Sequence, residues 1–236
     1  MKDNKSAILL AVGLLALGLA LGYFIKAGLS SIADNNHIVT VRGLSEREVE
    51  ANKVTWPVVY KVIANDPQEL YSRIESGNAS IIAYLTKNGL TEKDYTVSAP
   101  NIIDKQAERY SSENQGMRYT ATSGVIVTSD KVELVRRLIQ NQGELLKQGV
   151  AILIGDYEYQ TVYEYTGLND IKPEMIADAT KKAHEAAEKF AADSGSKVGK
   201  LISASQGQFS IEDRDPYTPF IKKVRVVTSM AYAIDD

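Results

Sequence analysis

The residue types that most often carry catalysis or bind metal ions are scarce in this chain. Cysteine is absent, which excludes disulfides, thiolate metal sites and cysteine nucleophiles. The two histidines, His37 and His184, are far apart in the sequence, and no HExxH, GxSxG or phosphate-loop motif is present. We therefore predict no catalytic site, no metal site and no cofactor, and we expect both histidines to be surface residues.

The carboxylates are numerous, but their spacing is typical of solvated surface. Three glutamates alternate along one predicted strand edge: Glu46, Glu48 and Glu50. A second group, Glu212, Asp213 and Asp215, lies in a predicted hairpin loop beside Arg214. This loop could bind a cation, although an ordinary charged loop tip explains it as well. An enzyme that uses a carboxylate pair is the least favoured of the functions considered.

A basic cluster begins the last predicted strand and consists of Lys222, Lys223 and Arg225. In a strand, Lys223 and Arg225 point to the same face. Such a row could contact a lipid phosphate or an acidic neighbour. Basic side chains also protect a strand edge against unwanted pairing, and we favour that interpretation.

Four tyrosines share one parity in the segment from Val150 to Thr166, which we predict to be a single strand: Tyr157, Tyr159, Tyr163 and Tyr165. Tyrosine is favoured at interfaces because its side chain is large, rigid and amphipathic. The row therefore predicts either an interface between subunits or a wide, half-buried sheet within one chain. The pattern does not choose between them.

Composition and charge limit the functional classes further. The chain has 236 residues, of which 44% are apolar and 24% are charged, as in an ordinary globular protein. The formal net charge is −3, which does not indicate a nucleic-acid partner.

Residues 7–25 form an uncharged apolar run near the N-terminus. As a helix this run would span ~28 Å, close to the ~30 Å hydrocarbon core of a membrane. We predict an uncleaved signal anchor, with Lys2 and Lys5 in the cytoplasm and the body exported. The alternative is a signal peptide that is cleaved near Ala33. Residues 1–33 are thus the anchor and linker, and residues 34–236 are the exported body.

The body reads as alternating strands and helices in the order ββαββαβαββ, which predicts an α+β fold. Three main helices should pack on long antiparallel or mixed sheets. Asp66 and Pro67 predict the start of the first of these helices, and Gly195 predicts the end of the last, which spans about residues 170–194. Ranges 38–128 and 129–234 could form two subdomains.

Several segments resemble the SIMPL-domain family, also called the periplasmic immunogenic or oxidative-stress-defence proteins. They are Ile38–Glu46, Tyr163–Gly195 with Ala179–Ala183 and Ala186–Ala191, Ser205–Ile211 and Lys222–Thr228. The resemblance implies export to the bacterial periplasm or outer face and an α+β fold. It also implies ring-like or channel-like homo-oligomers in at least some members. It implies no established enzymatic activity, and no catalytic residue is carried over.

The sequence thus predicts a non-enzymatic, membrane-anchored protein of the bacterial envelope that assembles with copies of itself. The anchor would lie in the inner membrane, with the body in the periplasm or outside. A stress-related role is suggested by the family alone. The alternative is a binding module for a small envelope ligand or a lipid head group, with a pocket near Lys222, Lys223 and Arg225.

Overall fold

The computed structural model describes residues 13–26, 37–107 and 116–235. The strands of this part are β1 Ile38–Glu50, β2 Lys53–Ala64, β3 Tyr95–Val97, β4 Asn101–Asp104, β5 Tyr119–Ser129, β6 Val162–Glu164, β7 Lys197–Gln206, β8 Ser210–Asp213 and β9 Ile221–Asp235. The helices are α1 13–26, α2 Pro67–Lys87, α3 Val132–Gln140, α4 Gly143–Lys147 and α5 Leu168–Asp193. Short 3-10 helices cover Glu92–Asp94 and Tyr157–Tyr159.

The strands form two sheets, and the α+β class is confirmed. One sheet has the order β1-β9-β7, with β8 also paired to β9. The other has the order β3-β5-β2-β6, with β4 also paired to β5, and its strand pairs are antiparallel. The predicted order is simpler than the observed one. Three predicted elements are each divided in two, giving β3 and β4, α3 and α4, and β7 and β8.

The chain divides into two compact units that interleave in sequence. Unit 1 contains the described residues up to Glu46, Lys172–Phe209, and those from Arg225 onward. Unit 2 contains Arg47–Ile171 and Ser210–Val224. This division differs from the predicted subdomains 38–128 and 129–234, because the C-terminal strand β9 pairs with the N-terminal strand β1.

Unit 2 is built on the long β2–β5 pair. The register runs from Val54 opposite Ser129 to Ala64 opposite Tyr119. Helix α2 packs on this pair and starts where the sequence predicts, because the Asp66 carboxylate accepts the N–H groups of Gln68 and Glu69. The buried core contains alternating residues of β2 and their partners on β5: Val54, Trp56, Val58, Tyr60, Val125 and Val127.

Unit 1 places α5 against its sheet through a row of small residues: Met175, Ala179, Ala183, Ala187 and Ala191 are buried. The helix lies close to the sheet at Gly43 of β1, where a Cβ atom would overlap the carbonyl oxygen of Ala179 and the backbone nitrogen of Ala183. Ala186 and Phe190 do not belong to this buried row. Both are exposed, because each precedes a buried alanine by one residue and so points about 100° away.

The predicted strand from Val150 to Thr166 is also wrong. Gly155 has φ 81°, and the Asp156 carboxylate accepts the N–H of Glu158 to start a 3-10 turn. Only Val162–Glu164 forms a strand in this segment, besides one isolated bridge between Tyr60 and Ile152. Alternating apolar residues therefore do not establish a strand where glycine and a capping aspartate turn the chain.

At the N-terminus, helix α1 covers part of the predicted anchor. Within the described residues, none of the helices is both long enough and apolar enough to cross a membrane. Residues 7–12 of the apolar run, the predicted linker and the cleavage position near Ala33 lie outside the described residues. The anchor stays a prediction.

Candidate functional site

The four tyrosines do not share one face. Tyr157 is 89% exposed, whereas Tyr163 is 9% exposed and packs edge-on against Phe220. Tyr159 and Tyr165 are half-buried, and the Tyr165 hydroxyl donates to the carbonyl of Gly167. The chain turns between them, so the prediction that the four tyrosines form a row on one face of a strand is wrong.

The basic cluster is not a row of free cations. Lys222 is buried on β9 and its ammonium donates to the carboxylate of Asp213. Arg225 lies 3.4 Å from the Glu46 carboxylate. Lys223 is half-buried and follows the alternation of the strand, on the side opposite Lys222. Two of the three predicted anion contacts are therefore already paired with carboxylates.

The acidic loop near residue 213 is organised by its own hydrogen bonds. The Asp215 carboxylate accepts the N–H groups of Tyr217 and Thr218 at 2.8 and 2.9 Å. Hydrogen bonds from the Thr218 hydroxyl and from Arg214 lower the pKa of Asp215 to about 2. These hydrogen bonds are those of a turn that its aspartate side chain stabilises.

His184 is on the exposed side of α5, as predicted for a surface residue. Its Nδ1 lies 3.2 Å from the Tyr232 hydroxyl, and its Nε2 lies 3.4 Å from the Glu188 carboxylate. In the described part of the chain, no three His, Asp or Glu residues come together in a way that could hold a metal ion.

A buried acid in unit 2 was not identified from the sequence. The Asp94 carboxylate accepts hydrogen bonds from the Ser129 hydroxyl at 2.7 Å and from the Lys131 ammonium at 2.9 Å. It also accepts the N–H and hydroxyl of Thr91, both at 2.9 Å. Burial raises the pKa of Asp94, but these hydrogen bonds outweigh it and hold the pKa well below the usual range. The only sequence signal is the Thr91-x-x-Asp94 spacing of a capping box.

Unit 2 also contains an open pocket of about 400 Å³. Its walls come from the start of β2, the end of α3, the loop before β6 and the loop between β8 and β9. Trp56 and Tyr159 line it together with Asp156 and Asp213. Partial burial raises the pKa of Tyr159, and the nearby carboxylates of Glu158 and Asp156 raise it further, so its hydroxyl stays protonated.

The remaining candidate is the sheet edge at β7. This strand pairs with β9 on one side, and no described strand pairs with its other side. Lys197 and every residue from Lys200 to Gln206 are exposed, while Val198 and Gly199 are half-buried. Leu201 and Ile202 are 50% and 46% exposed, although both are large and apolar.

A comparison with protein families matches residues 39–232 to SIMPL, described as "Protein of unknown function (DUF541)". The chain belongs to the SIMPL family. The match extends from β1 to β9, so the SIMPL domain includes residues of both units, the pocket and the β7 edge. No curated protein matches the chain. The resemblance inferred from the sequence is thereby confirmed as to the family.

Proposed function

We propose that this SIMPL protein is a non-enzymatic, membrane-anchored protein of the bacterial envelope that pairs with a second copy of itself through β7. Residues 7–25 would hold it in the inner membrane, with the SIMPL domain in the periplasm or outside. Family membership supports an envelope location by analogy, and a stress-related role rests on that analogy alone. The observation that carries the assembly is the exposed edge strand β7.

An edge strand presents unpaired N–H and C=O groups that a second strand can bind. Proteins usually protect such an edge with charge, and the other edge strand of the same sheet, β1, carries Arg42, Glu46 and Glu48. In contrast, β7 has no charge from Leu201 to Gln206.

Antiparallel pairing of two β7 strands is compatible with their charges. The pairing of β7 with β9 is irregular between Val198 and Leu201 and between Leu201 and Ser203. If Ser203 faces Ser203 of the second copy and the new pairing is regular, Lys200 lies opposite Gln206 and Leu201 lies opposite Ser205. No lysine then faces a lysine, so the arrangement avoids the cost of like charges across a strand pair. A twofold axis of this kind gives a self-complementary interface.

A charge-swap experiment tests this interface. Ser203→Lys and Ser203→Asp each place two like charges opposite one another, and we expect each variant to dimerise at least about tenfold more weakly than the wild type. An equal mixture of the two variants should recover the wild-type affinity, because opposite charges then meet. Light scattering on a sizing column measures the masses.

Ala186→Lys is the matched control, because Ala186 is exposed on α5 and does not lie on β7. It should leave the mass unchanged. A wild-type chain that stays monomeric at high concentration would refute assembly through β7. If the mixture of Ser203→Lys and Ser203→Asp stays monomeric, the register in which Ser203 lies opposite Ser203 of the second copy is refuted.

A further inference from the structure

The pocket of unit 2 combines aromatic surface with carboxylate, amide and hydroxyl groups. We propose that it binds a carbohydrate, as one or two neutral or amino-sugar rings. Its volume of about 400 Å³ falls within the ~300–1,000 Å³ of typical small-molecule sites. All of its lining residues belong to unit 2, and the proposal does not depend on assembly through β7.

Two aromatic side chains line the pocket, and two exposed tyrosines are neighbours of lining residues in the chain. Trp56 is 3% exposed and lines it from β2, while the half-buried Tyr159 lines it from the 3-10 turn. Tyr157 and Tyr217 each follow a lining residue directly and are 89% and 92% exposed. The apolar C–H face of a sugar ring packs on exposed or half-buried tyrosine rings of this kind, whereas the buried Trp56 adds little open surface.

The polar lining suits a ligand with many hydroxyl groups. Gln142, Gln160 and Thr161 can each donate and accept, and Asp156 is a strong acceptor. Asp156 receives one N–H, from Glu158 at 3.2 Å, and an ionised carboxylate has capacity for several more bonds. Because each sugar hydroxyl both donates and accepts, a mixture of acceptors and amides can satisfy neighbouring hydroxyls in pairs.

The charge of the pocket disfavours anionic ligands. Among the described residues that line it there are two aspartates and no lysine or arginine. The Lys222 ammonium is bound to the lining residue Asp213 and offsets its charge, so the Asp156 carboxylate remains as the uncompensated charge of the lining. A lipid phosphate would find amide and hydroxyl donors in the lining but no cation, together with the Asp156 carboxylate, which argues against the lipid head group considered from the sequence.

The full-length chain provides its own reporter, because Trp56 is the single tryptophan and lines the pocket. Trp56 fluorescence is titrated with N,N′-diacetylchitobiose and with cellobiose, and separately with inorganic phosphate and spermidine. We expect a saturable change with at least one disaccharide at micromolar to millimolar concentration and none with phosphate. No response to either disaccharide, or an equal response to spermidine, would overturn the proposal.

Variants locate the binding. Tyr159→Ala removes a ring and Asp156→Asn removes a charge, and each should weaken disaccharide binding about tenfold or more. Tyr159→Phe keeps the ring and should retain most of the affinity. Tyr71→Ala is the matched control, because Tyr71 is an exposed tyrosine on α2 that does not line the pocket. If Tyr71→Ala weakens binding as much as Tyr159→Ala, with thermal unfolding unchanged in both, the ligand does not occupy this pocket.

Discussion

Asp94 shows how one side chain connects three separate parts of unit 2. It receives hydrogen bonds from Thr91 before its own 3-10 turn, from Ser129 at the end of β5 and from Lys131 at the start of α3. In the sequence, Ser129 precedes a helix and Thr91 lies in a short polar segment between α2 and β3. The sequence does not show that they share an acceptor, because Asp94 and Ser129 are brought together only when β3 pairs with β5.

Replacing Asp94 with asparagine should destabilise the protein by roughly 2–4 kcal/mol at neutral pH, since bonds to a charged acceptor are lost from a buried site. Because the pKa of Asp94 is lower in the folded state than in the unfolded state, its ionised carboxylate stabilises the fold. This stabilisation is complete above the unfolded pKa of about 4, and it is lost as the pH falls through the folded pKa. The difference in the free energy of unfolding between the wild type and Asp94→Asn should therefore decrease below about pH 4. Urea unfolding at pH 7 and pH 3 measures it.

The matched control is Asp130→Asn, at an exposed aspartate in the same connection. It should change the unfolding midpoint little at either pH. If Asp94→Asn lowered the free energy of unfolding by the same amount at pH 3 as at pH 7, the charge of the Asp94 carboxylate would not be the source of its stabilising effect.

At the scale of elements, the contact between α5 and β1 depends on the absence of a side chain at Gly43. Gly43→Ala would force the helix and the strand apart, because the new methyl group meets helix backbone rather than a flexible side chain. We expect a loss of about 1–3 kcal/mol, the usual cost of overpacking. Gly143→Ala is the control, because nothing lies within 4 Å of the added Cβ and alanine favours a helix. Thermal unfolding measures the stability of both variants. Equal unfolding midpoints for Gly43→Ala and Gly143→Ala would contradict the packing argument.

The elements also show what sequence periodicity can and cannot predict. Helix α5 and its alanine row were predictable, because every fourth residue from Met175 to Ala191 is buried. The segment around Tyr157 was not, because one glycine with positive φ and one capping aspartate cancel an alternation that otherwise favours a strand. The pocket walls include that same segment, so the wrong strand assignment also concealed the candidate binding site.

At the scale of the whole molecule, the family was predictable and the division into units was not. The ordered series of segments led to the SIMPL family, which the match over residues 39–232 confirms. The interleaved units depend on pairing between β1 and β9, which are separated by most of the chain. No local pattern encodes such a pairing, because both strands show the same alternation of buried and exposed residues as other strands of this protein.

The proposed anchor is a property of the whole chain, and it predicts how the protein partitions in a cell. The full-length chain should sediment with membranes and resist alkaline extraction. Arginine at both Leu15 and Leu17 should release it, because each arginine near the centre of a membrane helix costs about 2.5–3.5 kcal/mol. Isoleucine at the same two positions is the control and should stay in the membrane fraction.

The mature N-terminus distinguishes the anchor from its alternative. Mass spectrometry of the membrane-bound protein should find the chain beginning at or near Met1. A mature chain that begins near Asp34 and is recovered in the soluble periplasmic fraction would refute the anchor and establish a cleaved signal peptide. In that case a β7-paired SIMPL domain would have to form in solution, since no membrane helix would raise its local concentration.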